Sequence, residues 1–466
     1  MIRFFPLHHK GATAMTSGKL LTIDDALNLS HRQVVELHKE YLNAGLAKML
    51  SMFKVDRHFV KAEGIRVWDS EGSEYLDFLC SYGALSLGHN HPKVIDAVRK
   101  AAHLPNLLQS SLNPIAGALA SNLATIAPGD LTRSFFCNSG SEAIEGAIKL
   151  ARIATGRTNI VCAEEGFHGK TLGALSATGH EKYKTPYKPL VPGFFHVPFG
   201  SLPELEQLLG MRDVAGVILE PIQGPAGILV PPEGYLKEVR ELCTKYGSLL
   251  ILDEVQTGFG RTGKMFACEH DSVVPDVLCL SKALGGGIYP IGAYITTDAI
   301  WKKSYGSLEK CLFHTSTFGG NTLACAAGLA AIQVTVEEHL VERAGELGEY
   351  FLGRLNEIQG RSKLLKEVRG KGLLIGLDFH QEKGVVEKFT GGLEVTTAAL
   401  IAAELLNRHN IICLYTFNNP NVIRLAPPLN TDKADIDRMI ESLGNVLDRS
   451  KSFMSLALKA AGNLLK

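Results

Sequence analysis

The sequence predicts an α/β fold in which a mostly parallel sheet is covered by helices on both faces. Short apolar runs alternate with longer segments of helical periodicity between about residues 77 and 300. The runs are apolar almost throughout, as strands that are buried on both faces should be. Such alternation is typical of α/β domains with parallel strands. The predicted strands are 134–137, 159–163, 214–219, 248–252 and 277–280.

The pattern on either side of this region predicts two further parts of the chain. Residues 1–76 are expected to form an N-terminal arm with a helical segment over 24–53 and a β-hairpin. Residues 77–330 would form the large domain, and 331–466 a smaller α+β domain on which the arm packs. The hairpin strands are expected at 67–69 and 75–78. Further helices are expected at 234–246, 337–360, 395–408 and 432–447, a glycine-punctuated strand within 368–379, and a strand at 421–426.

Composition excludes several classes of protein. Lys plus Arg and Asp plus Glu both number 48, so the chain lacks the basic excess of a nucleic-acid binder. Hydrophobic residues make up 45% of the chain, which excludes a disordered protein. No uncharged apolar run reaches the roughly 20 residues of a membrane span. We therefore expect neither nucleic acid nor membrane as a partner.

The cysteines and the first residues indicate a compartment. The nine cysteines include no CxxC pair, which favours free thiols in a reducing environment. The first residues lack the apolar region and cleavage site of a secretory signal. From these two features we expect a cytoplasmic protein.

A candidate anion site follows the first predicted strand. Ser139, Gly140 and Ser141 come directly after 134–137 and open an amphipathic helix. Free backbone N–H groups and the helix dipole favour phosphate at such a position. The alternative interpretation is an ordinary helix cap, because serine is a preferred cap residue.

Charged side chains follow three neighbouring strands. Glu220, Asp253 and Lys282 come at the ends of 214–219, 248–252 and 277–280. Ligands of open α/β sheets bind at the carboxyl ends of the strands. A partly desolvated lysine becomes a nucleophile that can form a Schiff base, although a solvated lysine is the simpler alternative. Phe167, which lies between glycines, could present a flat face to a ring or could simply pack in its loop.

Two motifs and one histidine pair are rejected. Residues 258–263 match GxGxxG and 258–264 resemble a P-loop, but Met265 stands where a P-loop needs Ser or Thr. No helix is expected to open directly at these glycines, as a dinucleotide fingerprint would require. His89 and His91 have no third ligand in view, so no metal site is expected.

The segments after the strands resemble a known family. They are SGSEA at 139–143, FHGKT at 167–171, EPIQG at 220–224, LDEVQTG at 252–258, SKALGG at 281–286 and TFGGN at 317–321. In this order they resemble the class III aminotransferases, which are pyridoxal 5'-phosphate (PLP) enzymes of fold type I. The likeness runs from about residue 60 to 447. The stretches 192–200 and 261–270 resemble the branch that acts on putrescine.

The resemblance implies roles for individual residues. Lys282 would carry the cofactor as a Schiff base and move the proton during catalysis, and Asp253 would keep the pyridine nitrogen protonated. Gln256 would bond the ring hydroxyl, and Phe167 and Val255 would cover the two ring faces. The phosphate would be held by Ser139, Gly140 and Ser141, and by Thr317 of a neighbouring subunit. His168 and Glu220 would complete the cofactor site.

The resemblance also implies a substrate site. Arg424 would clamp a carboxylate through two parallel hydrogen bonds, although a structural ion pair is the alternative. Tyr82 and Lys170 would contact substrate. Pro225 stands where many relatives carry a glutamate that covers this arginine, which leaves room for a carboxylate-bearing donor or an aldehyde acceptor. Thr322 replaces a common proline, and we expect little effect from it.

The expected function is transfer of an amino group from a terminal amine, putrescine or cadaverine, to 2-oxoglutarate. The products would be an amino-aldehyde and glutamate. Ornithine or acetylornithine as donor is the first alternative. A PLP-dependent decarboxylase or mutase on the same fold is the second, and a non-catalytic dimer is the third. We expect a homodimer or a tetramer of dimers.

Overall fold

The structure is a computed structural model that describes residues 20–52, 54–381, 395–450 and 456. The chain divides into two compact units, Met1–His58 and Phe59–Lys466. The expected boundaries after residues 76 and 330 stay predictions. In the described ranges, no helix combines the length and the apolarity needed to cross a bilayer. Those ranges also hold no group of three or more His, Cys, Asp or Glu residues placed to bind a metal ion.

The described part of the first unit contains three short helices where one helical segment is predicted. They are α1 (Ile23–Leu27), α2 (His31–Tyr41) and α3 (Ala44–Met52). Ser30 caps α2 in a capping box with Gln33, and the Asn43 side chain accepts from the backbone N–H of Leu46. Such caps interrupt the helical segment because their side chains compete for the backbone donors of the next turn.

The second unit contains the sheets and the remaining described helices. Its strands are β1 (Phe59–Glu63), β2 (Arg66–Asp69), β3 (Glu74–Asp77), β4 (Leu131–Cys137), β5 (Asn159–Ala163), β6 (Phe194–Val197), β7 (Val214–Leu219), β8 (Leu249–Asp253), β9 (Val277–Leu280), β10 (Gly292–Thr297), β11 (Leu365–Lys371), β12 (Leu374–Phe379), β13 (Ile411–Ile412), β14 (Leu414–Tyr415) and β15 (Val422–Leu425). Its helices are α4 (Cys80–Gly83), α5 (Pro92–Ala101), α6 (Pro114–Ile126), α7 (Gly140–Thr155), α8 (Leu172–Ala177), α9 (Glu181–Lys184), α10 (Leu202–Leu209), α11 (Tyr235–Tyr246), α12 (Asp298–Tyr305), α13 (Thr322–Glu337), α14 (Leu340–Gln359), α15 (Thr397–His409) and α16 (Lys433–Arg449).

The large sheet has the order β4-β10-β9-β8-β7-β5-β6 and is mostly parallel, as predicted. β10 is antiparallel to both of its neighbours, β4 and β9, and the other adjacent strands of this sheet pair in parallel. All five predicted strands occur in it. The prediction omits β6, an edge strand with partly exposed side chains, and β10, which begins with a glycine and ends in two threonines.

Two four-stranded sheets complete the unit. One has the order β1-β2-β3-β13 and contains the predicted hairpin as β2 and β3. The other has the order β11-β12-β15-β14. Helix α13, which packs against α5 and α6, is missing from the prediction because it is apolar all round and has no amphipathic period.

The parallel strands bring the candidate residues to one edge of the large sheet. β7, β8 and β9 are adjacent and parallel, so their carboxyl ends meet there. Glu220 directly follows β7, Asp253 ends β8, and Lys282 lies two residues beyond β9. These ends are buried between helices on both faces, and every residue of β7 and β9 is buried.

Candidate active site

Lys282 follows β9 in an unfavourable backbone conformation. Its φ of +46° lies in the left-handed region, which costs on the order of 1–3 kcal/mol for a residue other than glycine. Burial lowers the pKa of Lys282 to about 8, and the nearby positive charge of Arg424 acts in the same direction. The negative charges of Asp253 and Glu220 oppose this shift. The amine therefore has a substantial neutral fraction near physiological pH, as a nucleophile requires.

Asp253 is buried and contacts the imidazole of His168. Its Oδ2 lies 2.8 Å from His168 Nδ1, and its Oδ1 accepts from the backbone N–H of Val255 at 3.1 Å. Burial lowers the pKa of His168, but the hydrogen bond and the negative charge of Asp253, with that of Glu220, outweigh burial and raise it. His168 Nε2 is buried and has no hydrogen-bond partner among the described residues.

Glu220 joins two loops at the edge of the sheet. Its Oε1 accepts from the backbone N–H of Phe167 at 2.9 Å, and its Oε2 accepts from that of Gly224 at 3.3 Å. Burial raises the pKa of Glu220 to about 7. The charge of His168 opposes this rise, and the charge of Asp253 adds to it. Glu220 therefore fixes the position of the Phe167 loop.

The candidate anion site lies at the N-terminus of α7. Ser139 caps this helix, and its Oγ accepts from the backbone N–H of Glu142 at 3.2 Å. A Cβ on Gly140 would lie 3.1 Å from the methyl groups of Val255, and a Cβ on Gly169 would lie 2.1 Å from Ser141 Oγ. The two glycines let the loops after β4, β5 and β8 approach closely.

Gln256 connects the loop after β8 to Tyr82. Its Nε2 donates to the Tyr82 carbonyl oxygen at 3.0 Å, and its Oε1 is buried without a partner among the described residues. A Cβ on Gly224 would lie 1.4 Å from this Oε1. Only glycine therefore fits at position 224 while Gln256 keeps this position.

Arg424 lies in β15 and is 3% exposed. Its guanidinium carbon lies 5.5 Å from the centroid of the Tyr82 ring, within cation–π range. No carboxylate of the described residues lies within ion-pair distance of the guanidinium, and Nε has no hydrogen-bond partner there. Burial lowers the pKa of Arg424 to about 10, against the influence of Glu220 and Tyr82. Within the part of the chain that the structure describes, Arg424 is thus a buried cation without a paired anion.

Tyr82 belongs to α4, whose backbone forms a single left-handed turn and not a regular right-handed helix. The φ angles of Cys80, Ser81, Tyr82 and Gly83 are 45°, 49°, 60° and 86°. Asp77 stabilises the entry to the turn, because its Oδ1 accepts from the backbone N–H groups of Leu79 and Cys80 at 2.9 and 2.8 Å. Sequence reasoning misses this turn, since Cys, Ser and Tyr have no preference for left-handed backbone.

Lys170 is connected to Tyr82 through two aromatic residues. It is exposed, and its Nζ lies 5.1 Å from the Tyr183 ring centroid. The Tyr183 hydroxyl donates to the carbonyl oxygen of Phe417, whose ring centroid lies 5.4 Å from that of Tyr82. The sequence has no recognisable motif at Tyr183 or Phe417, so neither residue is predicted to belong to the site.

Thr317 lies in a loop that contacts the segment before Ser139, because the Oγ of the adjacent Ser316 accepts from Asn138 Nδ2 at 3.2 Å. Thr317 is exposed, and its carbonyl oxygen accepts from Gln109 Nε2 at 2.7 Å. No hydrogen bond among the described residues joins it to Lys282 or Asp253. The expected role of Thr317 in a neighbouring subunit stays a prediction.

Comparisons with known proteins identify the family. A sequence model described as "Aminotransferase class-III" matches residues 51–447. The chain is 41% identical to a putrescine aminotransferase from Pectobacterium atrosepticum, over 93% of this chain and 92% of that protein. It is 36% identical to the aminotransferase PigE from a Serratia strain, over 91% of this chain, but it spans only 54% of the length of that relative.

A solved structure of the ornithine aminotransferase from Toxoplasma gondii is similar throughout. The TM-score is 0.80 at 30% identity, and the match covers 95% of this chain and 98% of that one. That structure has PLP at partial occupancy in its active site. The likeness and the mostly parallel large sheet agree with PLP fold type I.

The side chains at the edge of the large sheet fit this cofactor. A partly neutral amine, a buried carboxylate and a helix N-terminus are the donor and acceptor types that an aldehyde, a pyridine nitrogen and a phosphate need. His168 Nε2 and Gln256 Oε1 are buried and lack partners among the described residues. The match over most of its length makes this chain a member of the class III aminotransferase family and a PLP-dependent aminotransferase.

Proposed function

We propose that the enzyme transfers an amino group from a terminal amine, putrescine or cadaverine, to 2-oxoglutarate, which gives an amino-aldehyde and glutamate. The observation that carries this proposal is the 41% identity, over nearly the whole of both chains, to a putrescine aminotransferase. The guanidinium of Arg424, which is buried and has no ion-pair partner among the described residues, supports the choice of a carboxylate-bearing acceptor.

Lys282 and Asp253 carry the chemistry in this proposal. When bound, PLP supplies a carbonyl that receives the amino group and a ring that withdraws electrons from the donor carbon. Lys282 holds the cofactor through Nζ, and the same nitrogen takes up and returns the proton that moves at the donor carbon. A pKa of about 8 suits both directions of this transfer near neutral pH. Asp253 accepts from the ring nitrogen, and His168 orients Asp253.

The other residues bind the cofactor and exclude water from it. The backbone N–H groups of Ser139, Gly140 and Ser141 and the hydroxyls of the two serines bind the phosphate. Phe167 and Val255 cover the ring faces, and Glu220 fixes the Phe167 loop. Gln256 bonds the ring hydroxyl, and Lys170 lies at the outer end of the substrate site.

A second copy of the chain completes the site in this proposal. The segments around Thr317 and 104–112 line a cavity of about 440 Å³, and they expose large apolar side chains. Examples are Leu108, Leu112 and Phe318, which are 54%, 96% and 52% exposed. Apolar surface of this kind marks an interaction site. We propose a homodimer, or a tetramer of dimers, in which Thr317 of one copy reaches the phosphate in the other.

The nine free cysteines support a cytoplasmic location, since disulfides are rare in reducing compartments.

An ω-amino acid donor, ornithine or acetylornithine, is the second candidate. It is favoured by Pro225, which follows Gly224 and brings no carboxylate toward Arg424. The similarity to the Toxoplasma gondii ornithine aminotransferase agrees with it. No observation favours a decarboxylase or a mutase.

A donor panel tests the proposal. Purified enzyme is incubated with 2-oxoglutarate and putrescine, cadaverine, ornithine or N-acetylornithine, and glutamate is measured. We expect the highest kcat/KM with a diamine. Turnover of ornithine without turnover of diamines would instead establish the second candidate. Release of CO₂, or turnover without any oxo acid, would show a different reaction.

A further inference from the structure

Among the described residues, the buried guanidinium of Arg424 lacks a carboxylate partner whenever the bound substrate is an amine without a carboxylate. A buried guanidinium without an anion is costly, and a donor that lacks a carboxylate does not supply one. The Tyr82 ring lies over this cation at 5.5 Å. We propose that Tyr82 covers Arg424 in place of a carboxylate, so that Tyr82 determines how well the site accepts substrates with and without a carboxylate. This inference rests on the proposed function.

The backbone of Tyr82 is held in place from two sides. Gln256 binds its carbonyl oxygen at 3.0 Å, and Asp77 caps the start of the left-handed turn. Left-handed backbone is unfavourable at Cys80, Ser81 and Tyr82, so the surrounding contacts must enforce it. The turn therefore aims the ring at Arg424 at the expense of local backbone stability.

The ring is also packed from the side by Phe417. The two ring centroids lie 5.4 Å apart. The next residue, Asn418, donates its backbone N–H to the Pro225 carbonyl oxygen at 3.1 Å, and its side chain donates to the Glu165 carbonyl oxygen at 2.8 Å. Pro225 therefore anchors the loop that carries Phe417. At the position where a carboxylate is missing, the chain instead supports an aromatic cover.

An aromatic cover has a different effect from a carboxylate cover. A tyrosine ring is neutral and attracts the guanidinium through its quadrupole, more weakly than a bidentate carboxylate does. The carboxylate of an oxo acid can therefore displace the ring from Arg424. When the ring stays in place, it presents an apolar surface to the alkyl chain of an amine donor.

Glutarate is the probe that tests this inference. It has the two carboxylates of the acceptor but no oxo group, so it binds without turnover. Calorimetry on the holoenzyme compares the wild type, Tyr82→Phe and Tyr82→Leu. We expect Tyr82→Leu to bind glutarate roughly 2- to 30-fold more tightly, because it loses the cation–π cover that glutarate must displace. Tyr82→Phe keeps a ring and should bind as the wild type does.

Steady-state kinetics provide a second measurement. For Tyr82→Leu, KM should fall for 2-oxoglutarate and rise for putrescine, whereas general damage to the site would raise both. In an Arg424→Gln background, Tyr82→Leu should have no effect on glutarate binding. Phe417→Leu, at a half-exposed position, should shift glutarate affinity in the same direction and serves if Tyr82→Leu does not fold.

Failure of the Tyr82 cover and failure of the proposed donor would give different experimental results. Unchanged or weaker glutarate binding by both Tyr82→Leu and Phe417→Leu would overturn the cover. An enzyme inactive with diamines would overturn the proposed donor, but the glutarate comparison would still decide whether Tyr82 covers Arg424.

Discussion

The carboxylate of Asp253 and the imidazole of His168 form a buried pair, with Oδ2 and Nδ1 2.8 Å apart. Since an ionised carboxylate only accepts, Nδ1 carries the proton of this bond. The other oxygen of Asp253 accepts from the Val255 backbone. His168 therefore fixes the direction in which Asp253 presents its remaining acceptor capacity to a ligand.

Substitution of His168 should reveal this orienting role. His168→Leu removes the donor and leaves a buried carboxylate short of a partner, so we expect kcat to fall about 100-fold, a typical effect of misplacing a catalytic group. His168→Asn retains an N–H donor and should recover part of this loss. Thermal unfolding of both variants shows whether the loss of kcat comes from the lost hydrogen bond or from a general loss of stability. Equal losses for Leu and Asn would contradict the hydrogen-bond explanation.

Glu220 should make stability depend on pH. Its pKa is raised from the ordinary 4.5 to about 7 in the folded protein, so between these values the folded state binds more protons than the unfolded state. Its contribution to the free energy of unfolding should therefore fall as pH rises from 4.5 to 7, by up to about 3 kcal/mol. Urea unfolding of wild type and Glu220→Gln from pH 5 to 8 measures this. A pH-independent difference between them would contradict the prediction.

Gly224→Ala should destabilise the enzyme. The new Cβ would lie 1.4 Å from Gln256 Oε1, so the amide must move and its bond to Tyr82 must weaken. Overpacking of this kind costs about 1–3 kcal/mol. Gly353→Ala is the control, because that position in α14 has no atom within 4 Å of the new Cβ. The control should stabilise the protein by up to about 1 kcal/mol. Denaturant titration compares the two, and equal effects would contradict the packing explanation.

Lys282 should be the residue that holds the cofactor. Purified protein should be yellow, and borohydride reduction should fix the label on the peptide that contains Lys282, as mass spectrometry can show. Lys282→Ala should lose both colour and activity, whereas Lys170→Ala, which changes an exposed lysine, should keep the label. A fully active Lys282→Ala enzyme would end this assignment.

The sequence predicts the parts of the fold that depend on local pattern. Strands buried on both faces leave uniform apolar runs, and 159–163, 214–219 and 277–280 have the predicted bounds. Helix α13 is not predicted, because it is apolar on every face and therefore has no helical periodicity in its sequence.

The sequence likewise predicts one part of the candidate site and not the other. Glu220, Asp253 and Lys282 could be expected at one edge, because adjacent parallel strands end there. The Tyr82 ring over Arg424 could not be expected. It depends on a left-handed turn held by Asp77 and Gln256, and the contact with Gln256 spans 174 residues of sequence.

The pairing of β3 with β13 has a consequence for biosynthesis. Leu76 pairs with Ile411 in parallel, so the strand that leads into the Tyr82 turn has no partner on this side until most of the chain has been made. Such non-local pairing is slow to form and leaves a strand edge open in the meantime. The N-terminal hairpin of a nascent chain is thus a natural point of aggregation, and a chain truncated before residue 411 would never close this edge.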